Sequence, residues 1–76
     1  MIKEKIKLIM AEVFEMNQDL INDNITQKDT AEWDSLSHLN LIVEIEEEFS
    51  VSFTPEKIGS MISMELIIHE LKKSKL

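Results

Sequence analysis

A chain of 76 residues with a formal net charge of −7 can build one small domain at most, and its core must pack efficiently to be stable. It has no Cys, which excludes disulfides and thiolate metal sites as supports. The acid is concentrated mid-chain: residues 34–50 carry Asp34, Glu44, Glu46, Glu47 and Glu48 with no Lys or Arg. Such a surface repels nucleic acid and anionic lipid and attracts basic proteins, although the same charge also serves plain solubility.

No apolar run approaches bilayer-spanning length, and the N-terminus alternates charged with apolar residues, unlike a signal peptide. A soluble cytoplasmic protein is expected. With one Gly and one Pro, both within 55–59, most of the chain is free to be helical.

Ile2, Ile6, Ile9, Val13 and Met16, widened by Phe14, form one stripe of an amphipathic first helix that should fade near Asn17. Residues 18–33 have no clean period. They read as a long packed loop with Leu20, Ile21 and Ile25 as available anchors, Ile25 the chief pin. Asp34 or Ser35 can cap a second helix running to Phe49, and Ser50 to Phe53 break its pattern. Thr54-Pro55-Glu56 supplies a capping hydroxyl, Pro at the first helical position and an acid in the first turn of a short helix. Gly59 should end it. Ser63 can cap a last helix carrying Leu66, Ile67, Ile68 and Leu71, with Lys72, Lys73 and Lys75 at the end where the helix dipole favours cations. The expected fold is all-α: a small bundle of three longer helices and one short one.

Helix 34–50 carries the information. Drawn at about 100° per residue, it puts Leu41, Ile42, Ile45 and Phe49 on one side and Leu36, Leu39 and Val43 on another. Asn40, Glu46 and Glu47 border the second group. One helix of a small bundle has one core to face, so a second apolar patch rimmed by acids reads either as a partner site or as a wider core contact under the long loop. Ser35 stands beside the patch at the helix start. It is either an ordinary capping residue or a reachable hydroxyl whose phosphodiester would be favoured by the helix N-terminus.

Trp33-Asp34-Ser35-Leu36 and the helix that follows, to Glu46-Glu47-Glu48-Phe49, resemble the Asp-Ser-Leu segment and recognition helix of acyl carrier proteins. The resemblance extends to the amphipathic first helix, the long acidic loop, Thr54-Pro55-Glu56-Lys57-Ile58 as a short third helix, and the closing helix, so that 1–76 would be a single carrier domain. It implies a non-catalytic protein. Ser35 would bear 4'-phosphopantetheine, delivered from coenzyme A by a phosphopantetheinyl transferase, and would hold acyl or aminoacyl groups as thioesters. Asp34 would help present the serine to the transferase. Leu36, Leu39, Asn40 and Val43 would meet partner enzymes, and Glu46 and Glu47 their basic residues. Those partners would be loading ligases, synthases and acyltransferases, met by a monomer. Trp33 stands where many fatty-acid carriers have a small residue, and Thr30 or Ala31 where they have Leu. The Trp-Asp-Ser-Leu form followed by His38 is more similar to stand-alone carriers of polyketide, peptide or surface-glycan pathways.

Other readings of the same residues are an unmodified acidic helical adaptor that binds basic proteins through helix 34–50, and a hydrolase. Ser35 lacks the Gly-x-Ser-x-Gly elbow of the latter. Asp19 to Asn24 lacks the Gly and spacing of a calcium loop, and His38 and His69 have no paired spacing, so no metal site is expected.

Overall fold

The computed structural model describes residues 2–75, with the side chain of Lys75 outside that description. Four α-helices follow one another: α1 (Ile2–Phe14), α2 (Ser35–Phe49), α3 (Pro55–Ser60) and α4 (Met64–Lys75). The all-α expectation of three longer helices and one short one holds. A single 3-10 turn, Gln18–Leu20, breaks the long connection between α1 and α2.

α1 stops at Phe14, earlier than the periodicity suggests. Glu15 turns into the left-handed region at φ 55°, and the Met16 N–H reaches back to the Ala11 carbonyl at 3.0 Å. The buried stripe is Ile6, Ile9, Met10 and Phe14, while Val13 and Met16 are only half-buried. The bundle therefore faces the 6-10-14 row more squarely than the 9-13-16 row.

The connecting loop is packed. Ile21 and Ile25 are buried, but Leu20 is 66% exposed and anchors nothing. The loop is tied to the start of α4 by backbone bonds, Met64 N–H to Ile25 O at 2.9 Å and Gln27 N–H to Ile62 O at 2.9 Å, around an isolated antiparallel bridge between Thr26 and Ser63. On its other side Asp23 receives both Lys3 and Lys7 from successive turns of α1. So the irregular segment leading to Ser35 is held from two directions.

Asp23, chiefly through its hydrogen bond to Lys7 and then the charge of Lys3, and Glu70, through its bond to Lys57, both have carboxyls held below their ordinary values. The folded state thus favours their ionised forms. Their stabilising contribution is present above about pH 4 and is lost as pH falls through the depressed folded values. The Asp23 pairs are solvent-screened and the Lys57–Glu70 pair is partly buried with its Lys open to water, so the combined effect is modest. Thermal melts between about pH 5 and 2.5 should show a steeper acid limb for the native chain than for the Asp23→Asn, Glu70→Gln double variant.

α3 differs from expectation at its end. Thr54 caps it by accepting the Lys57 N–H, and Pro55 occupies the first helical position, as read. Gly59, however, lies within the helix and has no positive φ; the helix runs on to Ser60, whose Oγ donates to the Lys57 carbonyl at 2.9 Å. A Cβ at Gly59 would meet nothing within 4 Å. Gly59→Ala should therefore stabilise the protein by about 0.5–1 kcal/mol, through helix propensity and a less flexible unfolded chain, measurable as a raised urea midpoint.

Candidate functional site

Asp34 opens the site. Its backbone is extended and its Oδ1 accepts the Ser37 N–H at 2.8 Å, so Asp34 rather than Ser35 is the N-cap of α2. The Ser37 N–H, with the Ser37 hydroxyl behind it, holds the Asp34 carboxyl below its ordinary value. Ser35 is left as the first helical residue with an exposed side chain. The cap therefore does not consume the Ser35 hydroxyl, which projects at the positive end of a 15-residue helix.

The two apolar sides of α2 separate cleanly. Leu41, Ile42, Ile45 and Phe49 are buried. Leu36, Leu39 and Val43 are 70%, 55% and 50% exposed, so they do not widen the core contact under the loop. They form an open stripe one turn apart, beginning next to Ser35. Toward Ser35 the stripe runs into a groove between α2 and α3 that Ser35, Leu39, Pro55, Ile58 and Gly59 line, with Gln27 at its edge. At its other end Val43, with exposed Asn40 and Glu44, borders Glu12 and Val13 of α1.

The acids of α2 do different things. Glu47 is exposed. Glu48 pairs with Lys5 of α1 at 3.3 Å. Glu46 is half-buried and its Oε2 accepts the Phe53 N–H at 2.8 Å, which ties down the turn leaving α2. That turn is tight: Ser50 takes the left-handed conformation at φ 54°, ψ 47°, and the N–H groups of Ser50 and Val51 both reach the Glu46 carbonyl. Glu46 thus has a structural bond that its place in the acidic run does not reveal.

The arrangement that sequence reasoning missed flanks Ser35 in the chain, at Trp33 and His38. Trp33 is 1% exposed, and its ring packs against Phe14 with centroids 5.4 Å apart. Its Nε1–H donates to His38 Nδ1 at 2.9 Å. Indole N–H can only donate, so Nδ1 must be bare and the His38 proton sits on Nε2. Nε2 then donates to the Ile58 carbonyl of α3 at 2.7 Å. A neutral imidazole, 7% exposed, therefore links the residue before the cap, the first turn of α2 and α3 in one chain of hydrogen bonds. Two of its members, His38 and Ile58, line the same groove as Ser35. Breaking these hydrogen bonds leaves buried donors or acceptors unpaired, at about 1–3 kcal/mol each. A signal was present: His38 falls in register with Leu41, Ile42, Ile45 and Phe49, so it belongs to the core stripe.

A covalent phosphopantetheine fits these residues. The Ser35 hydroxyl is exposed and outside the capping bond, the helix start favours a phosphodiester anion, and a groove with an apolar lining leads away from it. Among the described residues no cluster of three or more His, Asp or Glu side chains is placed to hold a metal ion. No helix among them is long and apolar enough to cross a membrane.

No family model matches the chain. Among solved structures it is similar to the holo acyl carrier protein from Geobacter metallireducens, at 24% identity and a TM-score of 0.81, over 95% of this chain and 83% of the other. With its four helices, their order and the long α1–α2 connection, the chain has the acyl carrier protein fold.

Proposed function

We propose that this chain is an acyl carrier protein: it carries acyl or aminoacyl intermediates as thioesters on 4'-phosphopantetheine attached to Ser35. The observation that carries the reading is the exposed, uncommitted Ser35 hydroxyl at the start of α2, directly beside the exposed Leu36–Leu39–Val43 stripe. The fold agrees, since the similar solved chain is a holo acyl carrier protein. When bound, the arm supplies a terminal thiol for thioester exchange.

This chain's own residues do the rest. Asp34 fixes the helix start, so that Ser35 is presented at one orientation, and adds negative charge for a basic transferase. Leu36, Leu39, Asn40 and Val43 form the contact surface for the phosphopantetheinyl transferase and for ligases, synthases and acyltransferases with basic docking surfaces. Glu47 and the remaining Glu46 oxygen steer them. Acids speed encounter and a small apolar centre holds it briefly, which suits a carrier that must leave each enzyme. The protein works without catalysing, as a cytoplasmic monomer that binds no nucleic acid. Its pathway is fatty-acid, polyketide, peptide or glycan-modifying, and Trp33 favours a dedicated one.

Incubation with coenzyme A and a broad-specificity transferase should raise the intact mass by about 340 Da, the covalent phosphopantetheine addition. Ser35→Ala should remain folded, because the cap belongs to Asp34, and should gain nothing. No mass gain with several active transferases would replace the carrier by the unmodified acidic adaptor that binds basic proteins through α2.

A further inference from the structure

We propose that the valley between α1 and α2 is a second docking surface, separate from the Ser35 groove. Its occupant is an amphipathic helix of a basic protein, apolar along one seam and flanked by Arg or Lys. On α1 the residues Ile6, Met10 and Phe14 form the buried row, and at about 100° per residue Leu8 lies nearly opposite them. Solvent-facing positions of an amphipathic helix are polar, yet Leu8 is a large apolar side chain, 52% exposed. One such residue alone is ordinary. Leu8, however, lines a hollow of about 580 Å³ together with Ile9 and Met16, and Glu48 of α2 lines it too. The two helices run antiparallel, with Lys5 beside Glu48 and, further along, Glu12 and Val13 opposite Asn40, Val43 and Glu44. There a second hollow of about 440 Å³ shares Glu12 with the first.

Charge along the valley is unbalanced. Lys5 meets Glu48 at 3.3 Å. Glu12 and Glu44, one from each helix, are exposed and have no ion-pair partner among the described residues. Two carboxylates lining one hollow repel each other and give the bundle nothing in return. An Arg or Lys laid between them puts its stem on Val13 and Val43 and its charge against both acids. Leu8, Ile9 and Met16 then receive apolar side chains from the next turns of the same partner helix, and the thioether of Met16 adapts its shape to them. An acidic segment, a nucleic acid or an anionic lipid is repelled by the same charges. Ser35 and Leu39 border the opposite flank of α2, beside α3. A partner held in the valley therefore leaves Ser35 reachable, which suits a contact that keeps the chain close to an enzyme without occupying its serine. Binding there is independent of what Ser35 carries, so a failed phosphopantetheine addition and a failed docking are separate results.

The probe is a synthetic helical peptide of about 18 residues with a Leu seam flanked by Arg, titrated into the isotope-labelled chain and followed by amide resonances. It should shift Leu8, Glu12, Val13, Asn40 and Glu44 and bind with a Kd below about 1 mM. The Glu12→Gln, Glu44→Gln double variant buries nothing and should stay folded. It should bind about 10-fold more weakly at low salt, with the difference shrinking as ionic strength rises. Leu8→Ser should weaken binding at every salt concentration, and Ser35→Ala should bind as the native chain does. Shifts centred on Leu36, Leu39 and Glu47 would overturn the proposal, since the peptide would then be on the α2 stripe. So would no shift at about 1 mM peptide. An equal loss in the Glu56→Gln, Glu65→Gln variant, at exposed acids outside the valley, would reduce the effect to net charge and overturn it as well. Valley shifts that grow with protein concentration in the absence of peptide would give the surface to a second copy of this chain instead.

Discussion

Trp33→Ala should cost about 3–5 kcal/mol, the range for truncating a large buried aromatic. A chain of this size has only about 4–11 kcal/mol of total stability at the usual per-residue values, so the variant loses a large share of it. Three losses combine. The ring is almost wholly buried, it packs on Phe14 of α1, and its N–H satisfies His38. Trp33→Phe separates them, because it keeps most of the ring and removes the donor. His38 Nδ1 is then left without a partner, and about 1–3 kcal/mol should be lost. Replacing His38 by Leu in the Trp33→Phe background removes that unpaired nitrogen and should recover part of the loss, leaving only the Ile58 carbonyl to find water. Urea unfolding of the single and double variants measures the coupling between the two rings. Additive losses would show that the Trp33–His38 bond contributes nothing and that Trp33 acts by packing alone.

That network also marks the limit of what the amino-acid pattern discloses. Periodicity and caps were enough for four helices in order, for Thr54 and Pro55 at the start of α3, and for two separate apolar sides on α2, because each depends on residues within a few positions. Gly59 misled because a helix end depends on φ, and a Gly in an ordinary helical conformation is indistinguishable in a string of letters. Leu20 misled because hydrophobicity alone does not say which of three nearby apolar residues in an irregular loop turns inward. Glu46 and His38 were obscured for another reason. Each is polar, and each makes its defining bond to backbone from a segment 7 or 20 residues away; the register of His38 signals its burial but not its partners. Such bonds leave no local period. The Trp33–His38 pair is nearer in the chain, yet it depends on the reversal at Asp34 that turns the chain from extended to helical between them.

The second large effect concerns the open stripe on α2. Leu39→Glu and Val43→Glu should each remain folded, because both side chains are at least half exposed and the substitution buries no charge. Ile45→Glu, at a fully buried position on the core side of the same helix, should not fold. In transferase kinetics with coenzyme A, Leu39→Glu should lower kcat/KM by about 30-fold or more, the loss of one central apolar anchor. The loss should fall mainly on KM, since the Ser35 hydroxyl and its cap are untouched. Glu47→Gln should behave differently. It removes steering rather than contact, so its effect should be several-fold at low salt and should fade as ionic strength rises, while the Leu39→Glu defect persists. These two signatures distinguish an apolar docking centre with an acidic rim from a purely electrostatic attraction. If Leu39→Glu is loaded at the native rate while Glu47→Gln is impaired, the exposed leucines are not the contact, and docking rests on charge alone.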